Sequence, residues 1–491
     1  MNPDKAENNE INKARTMKSM LNCSAIAALT LFAMSLPNIA LAQSAYTAAE
    51  LSQRTIERRA IEAVVWGMPA VNYDRMFEAA IAAGAGPNQI VYWSRPLSWL
   101  NQTLTPNPNT IYLMPFINTT SVGPMVLEIP PAEGGAIVGT VMDVWQVPIE
   151  DVGIAGVDKG QGGKYLILPP DYEGSVPDGY IPMPSSTYQT YALLRSNIAD
   201  DSDAGIAQSA EYARRIKLYP LSQAADAPPT TFVDAIDELY DATIPYDLRF
   251  FESLNRIVQT EPWLGRDKAM IDNLRSIGIE KGKPFNPDEQ TRRILNGSMA
   301  EARAWIDAQY VAGYANTFNE GTHWALPVFP VFYPEVQRGY ADRDAYSVDA
   351  RGVTYSFIFF APKHLGDGQF YFFAIHDEEG NDLEGGGTYR LRVPANAPVR
   401  QYWSVVVYDR ETHALIRDMP RSSRASNMPE VKQNPDGSVD IWFGPESPEG
   451  TESNWIPTKE DGRFELVFRF YGPEPPLFEK TWVLPDLEKI E

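Results

Sequence analysis

The chain has little of the side chains that most often carry nucleophilic or metal chemistry. It has one cysteine, Cys23, and four histidines in 491 residues. Cys23 falls in an N-terminal leader, so the remainder has no disulfide, no thiolate nucleophile and no cysteine metal ligand. His323, His364, His376 and His413 make no H-x-H or H-x-x-x-H pair, so a zinc or copper site would need ligands gathered from distant segments. Turn or surface histidines account for them better, and no metal or cofactor is expected. Basic residues are also scarce, 42 against 64 acidic, for a formal net charge of −22. That balance gives no reason to expect nucleic acid or an anionic membrane surface as partner. No P-loop, dinucleotide fingerprint or G-x-S-x-G occurs where a strand, turn and helix would give it meaning.

The apolar run Ala25–Leu36 is too short to span a bilayer. Lys13, Arg15 and Lys18 precede it and Ala40-Leu41-Ala42 comes after it, the layout of a signal peptide over residues 1–42 with Gln43 as the mature start. A retained anchor is the rival reading. Export to the periplasm or medium, with no membrane attachment after cleavage, is the expectation. The mature chain is long enough for two or three domains held by their own cores.

Along the mature chain, Thr47-x-x-Glu50 is a capping box opening a helix, which Trp66-Gly67-Met68-Pro69 should break before a second helix over Asn72–Ala83. Short strands come next at Pro124–Ile129, Ala136–Val147, Lys164–Leu168 and Tyr188–Arg195, punctuated by proline and glycine. From about Ala204 to Phe318 the spacing turns helical, ending in a long Arg292–Tyr314 helix. Strands return at Thr354–Phe360, Phe370–His376, Thr388–Val393, Tyr402–Tyr408, Ser438–Phe443 and Arg463–Phe470. The divisions are N-terminal helices plus a first β domain over 43–203, a helical connection over 204–321 and a second β domain over 322–491.

The stretch Leu100–Asn118, LNQTLTPNPNTIYLMPFIN, stands out. Pro106 and Pro108 should hold Thr105 and Asn107 extended. Asn107 and Asn109 can bond backbone or a ligand. Period two then places Thr110, Tyr112 and Met114 on one strand face. The stretch reads either as a polar ligand site or as a rigid turn whose amides satisfy backbone groups.

Trp66-Gly67-Met68-Pro69-x-x-Asn72-Tyr73, Asn107-x-Asn109-Thr110-x-Tyr112 and Asp143-x-Trp145 together resemble the domain of unknown function 1254. Tyr402-Trp403-Ser404 with Tyr408-Asp409, Asn434-x-Asp436-Gly437-Ser438, Asn454-Trp455-Ile456-Pro457 and Arg469-x-Tyr471-x-Pro473 resemble its usual partner, domain 1214. The resemblance implies an α+β chain: two jelly-roll-like β-sandwich domains joined by a helical segment, after a short N-terminal helical region. It implies no reaction, and the family often has Asp where this chain has Asn109.

Candidate chemistry rests on a few residues. Asp143, between apolar neighbours on the face shared with Val141 and Trp145, could be a general acid or base, or could tie the strand to a loop. Glu150 and Asp151 could pair with it, as glycosidase carboxylates do. Arg195 is a charge partner and Tyr112 a phenol for the same site. Asn107, Asn109, Trp145, Trp403, Tyr408, Asn454, Trp455 and Arg469 are ligand-binding candidates, because tryptophan and tyrosine stack on sugars and arginine and amides hydrogen-bond at the rim; as aromatics they also suit a core. Two functions fit: a metal-independent hydrolase or lyase acting on a small polar or carbohydrate-like substrate, and a non-catalytic protein binding a small molecule or glycan, or assembling as a homo-oligomer. The leader makes one direct prediction. N-terminal sequencing of the protein recovered from periplasm should begin at Gln43 or within a residue or two; an intact Met1 or Met17 in membrane pellets would show a retained anchor.

Overall fold

The computed structural model describes residues 46–198, 202–364 and 368–490; the signal peptide expected over residues 1–42 lies outside them. By its contacts the chain divides into a unit up to Gln53 and a second from Arg54 onward. Helix α1 (Ala48–Ala82) opens with the expected box, Thr47 N donating to Glu50 Oε2 at 2.7 Å and Glu50 N to Thr47 Oγ1 at 3.2 Å. Nine strands come after it: β1 (Gln89–Tyr92), β2 (Asn101–Gln102), β3 (Thr110–Asn118), β4 (Met125–Ile129), β5 (Ile137–Asp143), β6 (Pro148–Gly153), β7 (Gly163–Leu168), β8 (Tyr180–Pro184) and β9 (Gln189–Asn197). Next come α2 (Asp203–Ala213), β10 (Lys217–Pro220), β11 (Phe232–Asp234) and β12 (Tyr240–Asp241). A run of helices is then formed by α3 (Leu248–Thr260), α4 (Met270–Ser276), α5 (Glu289–Gly313), α6 (Phe332–Gln337) and α7 (Val348–Thr354). The chain closes with β13 (Gln369–Ala374), β14 (Thr388–Val393), β15 (Trp403–Asp409), β16 (Ser423–Ala425), β17 (Val439–Gly444), β18 (Trp455–Pro457), β19 (Phe464–Tyr471), α8 (Pro475–Phe478) and β20 (Glu488–Ile490).

Two sheets, ordered β11-β1-β3-β9-β5-β6 and β10-β4-β7-β8, share one apolar core that includes Ile90, Leu113 and Leu194 from the first and Leu127, Ile167 and Leu218 from the second. Alternation sends Tyr112, Met114, Phe116, Tyr191 and Leu193 to the other face, where they meet α1, α3 and α5 in the largest core. The later strands repeat the scheme as β13-β19-β15-β16 and β18-β17-β14-β20, with Phe372, Val405, Phe468, Leu391 and Ile441 between the sheets. The outer face of β13, β15 and β19 offers Phe373, Val406, Tyr408 and Val467 to Tyr310, Tyr314 and Phe357. Helices therefore lie between the outer faces of two sheets. The architecture is mixed α and β, as expected.

Three local expectations fail. Trp66-Gly67-Met68-Pro69 does not break α1, which runs through it. Pro69 lacks the N–H that would bond Val65 O. There α7 comes so near that a Cβ on Gly352 would lie 2.5 Å from that oxygen. Burial on all sides from Ala63 to Asp74 holds the helix together. Asn72, of the same motif, donates to Tyr355 O at 2.7 Å and Ile358 O at 2.8 Å, just past α7. Secondly, β10, β11 and β12 interrupt the span read as helical. They pair with β4, β1 and β2, and short apolar runs cannot separate period two from 3.6. Thirdly, Thr354–Phe360 is no strand but the end of α7 and a turn whose Tyr355, Phe357 and Phe359 are buried. Thr354, Tyr355, Ser356 and Phe357 are all buried in succession, so the segment's apolar composition misleads.

The close approach of α7 to α1 is testable. Gly352→Ala should destabilise the protein by about 1–3 kcal/mol through overpacking, read as a lower denaturation midpoint. An unchanged midpoint would show that the helices are not in this contact.

Candidate functional site

The turn Thr105–Asn109 joins the two halves of the molecule, and nearly every polar group in it is committed. Thr105 N donates to His413 O at 2.5 Å, and Thr105 Oγ1 to Phe357 O at 2.9 Å. Arg469 Nη2 donates to Thr105 O at 3.1 Å, and Tyr408 Oη to Pro106 O at 2.5 Å. Thr105 sits at φ +40°, so the expectation of extended backbone before Pro106 is wrong there. Such a conformation costs about 1–3 kcal/mol and persists only where its surroundings over-determine it, which these bonds do. Asn107 Oδ1 accepts from Asn109 N at 3.0 Å, and Asn107 Nδ2 donates to Tyr471 Oη at 2.7 Å. Asn109 accepts from Tyr402 Oη at its carbonyl, 3.3 Å, and from Ser423 Oγ at Oδ1, 3.2 Å, while its Nδ2 has no partner.

Two arginines face this turn. Arg195 on β9 lies opposite Tyr112 on β3 in the ladder, and its Nε donates to the Tyr112 hydroxyl at 3.3 Å. That hydroxyl also receives Asn107 N at 3.1 Å. Arg469 on β19 lies between Tyr371 on β13 and Ser404 on β15 in register, and bonds Tyr408 Oη at 2.7 Å. The guanidiniums are 7% and 3% exposed as residues, and neither pairs with a carboxylate among the described residues. Their electrostatic partners are tyrosines, with Tyr112, Tyr371 and Tyr471 common to both. Burial disfavours each cation, yet the surrounding hydroxyls outweigh it and hold both arginines above their ordinary range. Burial pushes Tyr471 up to about 12 against the pull of Arg469, and drives Tyr408 up as well, so both are neutral phenols at neutral pH. Arg469 Nη1 has no hydrogen-bond partner among the described residues. The result is a buried, cationic, phenol-lined site with a donor to spare.

Residues 87–220 match the family model described as Protein of unknown function (DUF1254), and residues 368–475 match Protein of unknown function (DUF1214). The chain thus carries a DUF1254 match followed by a DUF1214 match, the order of the two-domain proteins that its motifs resemble. No curated protein matches it. Among solved structures it is similar to the VPA0106 protein from Vibrio parahaemolyticus, with 19% identity and a TM-score of 0.54 over 89% of this chain and 100% of that one. A second, an uncharacterised protein from Burkholderia cenocepacia, aligns at 11% identity and a TM-score of 0.40 over 89% of this chain and 95% of the other. The first likeness is one of fold.

The turn and Arg195 belong to DUF1254, and Tyr408, Arg469 and Tyr471 to DUF1214. Of the residues singled out in the sequence, Asn107, Asn109, Tyr112, Arg195, Tyr408 and Arg469 gather here. Asp143 is not in this hydrogen-bonded group. Its Oδ1 accepts from Trp145 N and Val147 N, both 2.9 Å, and its Oδ2 from Ser186 Oγ at 2.8 Å. These bonds build the turn between β5 and β6. Burial raises its pKa above the ordinary carboxylate range, against the pull of Arg266. Glu150 and Asp151 do not pair with it: Glu150 holds Lys363 and His364 at 2.9 Å each, and Asp151 accepts from Thr140 and from backbone at 363 and 364. Trp403 is core, stacked on Phe468 at 5.3 Å. Asn454 braces the backbone of Lys432 and Asp440, and Trp455 Nε1 donates to Gly444 O at 2.9 Å. Tyr371 was missed, since nothing separates its phenol from the other aromatics of β13. Among the described residues no group of three or more His, Cys, Asp or Glu could hold a metal ion.

The two substitutions at Asp143 should differ. Asp143→Ala strips three bonds from a buried turn and should lower stability by about 1–3 kcal/mol. Asp143→Asn can keep acceptor and donor in place. A group whose folded-state pKa is raised has its stabilising effect below the unfolded pKa and loses it as pH rises through the folded one. The asparagine variant, which has no charge to bury, should therefore gain on wild type as pH increases from about 4 toward neutrality. Melting curves across that window decide it, and a steady loss for Asp143→Asn would contradict the assignment.

Proposed function

We propose that this is an exported protein that binds a small acidic molecule, an oxyanion on a polar, carbohydrate-like body, at the junction of its DUF1254 and DUF1214 domains. The observation that supports it is the pair Arg195 and Arg469, buried together among tyrosines with no carboxylate among the described residues to neutralise either. A buried cation is costly unless paired. A guanidinium presents a planar fork suited to carboxylate or another oxyanion, and the neighbouring phenols and amide offer bonds to hydroxyls of such a ligand. The two pairs of sheets, each sharing a core, favour the finer reading of jelly-roll-like sandwiches joined by helices.

A second reading adds chemistry, a metal-independent lyase or hydrolase step on the same ligand. It rests on Tyr112, whose oxygen receives both Arg195 Nε and Asn107 N. Charge-assisted bonds of this kind strengthen as negative charge develops on the acceptor. A phenol so held is suited to passing a proton to or from a substrate whose own charge the guanidiniums neutralise.

Thermal-shift titration with uronic, aldonic and dicarboxylic acids, each beside its neutral counterpart, tests the binding. Acids should bind and neutral analogues should not. Arg195→Gln should weaken binding by about 10–100-fold, the worth of one charge-assisted hydrogen bond. Equal binding of neutral sugars, or an unaffected Arg195→Gln, would end the proposal. For the chemical reading, Tyr112→Phe should cut turnover of a bound acid by about 10²–10⁴ with affinity kept within severalfold; turnover at the wild-type rate would remove Tyr112 from the reaction.

A further inference from the structure

A second group of unpaired polar atoms shares no residue with the first site. Arg351 on α7, 1% exposed, donates Nη2 to Trp145 O at 2.9 Å and Nη1 to the Tyr346 hydroxyl, leaving Nε without a partner. Arg266, in the short helical turn Gly265–Asp267, has neither Nε nor Nη2 satisfied, and its nearest carboxylate oxygen, on Asp267, is 3.6 Å away. Both guanidiniums lie over the same two rings. Arg266 is 5.3 Å from Tyr346 and 5.8 Å from Tyr340, and Arg351 is 5.1 Å and 4.8 Å from them. The Tyr340 hydroxyl and Trp145 Nε1 are buried without partners as well. Trp66 packs on Trp145 at 4.6 Å and gives its own N–H to Asp267 Oδ1 at 2.9 Å.

The chemistry is lopsided. Of five unsatisfied atoms, Arg266 Nε and Nη2, Arg351 Nε and Trp145 Nε1 can only donate and Tyr340 Oη can donate or accept, while among the described residues the one unsatisfied carboxylate oxygen beside them is Asp267 Oδ2. Folded proteins pair almost all their buried polar atoms, so such a concentration calls for an acceptor-rich occupant. Asp267 balances one of the two cations. Asp143, which acts on both, is already occupied by three bonds in its own turn. Two forked cations beside an indole N–H select a compact anion over a neutral acceptor.

We propose that Arg266, Arg351, Trp145 and Tyr340 form a second binding site, for a small oxyanion of the carboxylate, phosphate or sulfate class. This second site is independent of the first, and its tryptophans give it a readout of its own.

The test is tryptophan fluorescence of the full chain, titrated with inorganic phosphate, sulfate or acetate against chloride at matched ionic strength. A saturable change with at least one of the three is expected in wild type. It should persist in Arg195→Gln, which touches only the first site, and weaken at least tenfold in Arg266→Gln. Should Arg266→Gln not fold, Tyr340→Phe removes one donor and should weaken the response at least threefold. A crystal soaked in the responding anion should show it between the two guanidiniums. No saturable response to any of the three, a response that the second-site variants leave intact or Arg195→Gln abolishes, or density for water alone would overturn the proposal.

Discussion

The interaction on which the rest depends is the seating of the Thr105–Asn109 turn against the outer face of β15 and β19. It is a polar contact in a buried place, and burial makes each hydrogen bond obligatory. Thr105, Pro106, Asn107 and Asn109 all bond side chains or backbone from the far half of the chain. The turn accepts a left-handed threonine before a proline to achieve this. Without it, Arg195 and Arg469 would belong to separate domains. With it, they share the same tyrosines.

The charge arrangement is a consequence of that seating. Strand alternation directs Arg195 and Tyr112 away from the first pair of sheets, and Arg469, Tyr371 and Tyr471 away from the second. Each residue thus leaves an apolar inter-sheet core only to enter a layer that is also closed to water. Elsewhere the protein pairs such charges: Asp74 holds Arg256, Asp307 holds Arg410, and Glu465 takes His413 and Tyr310. Against that habit, Arg195 and Arg469 have no carboxylate partner among the described residues, and the proposed ligand site rests on that contrast.

How legible this was varies with the kind of signal. The capping box at Thr47 and Glu50, the long Ala-rich helix and most of the later strands obey local rules, and a sequence carries local rules openly. The two faces of Trp403–Asp409 were also readable, because period two is geometric. Trp403 went to the core, and Tyr408 to the site. Pro69 misled, since a proline normally ends a helix and only burial on every side keeps this one whole. Asp143 looked like the most reactive acid for a sound reason, its apolar neighbours. The same turn that buries it also supplies the three donors that occupy it.

The sequence by itself determined the two-domain order, the alternation of helices and strands, the scarcity of cysteine and a short set of candidate polar residues. These come from composition, period and motif, all properties of neighbours along the chain. Tertiary structure alone decided which of those residues meet. Asn107 and Tyr471 are 364 positions apart, and Arg351 and Trp145 are 206 apart. No spacing rule reaches across such distances, because what joins the partners is the packing of sheets on helices, and packing depends on every core side chain at once.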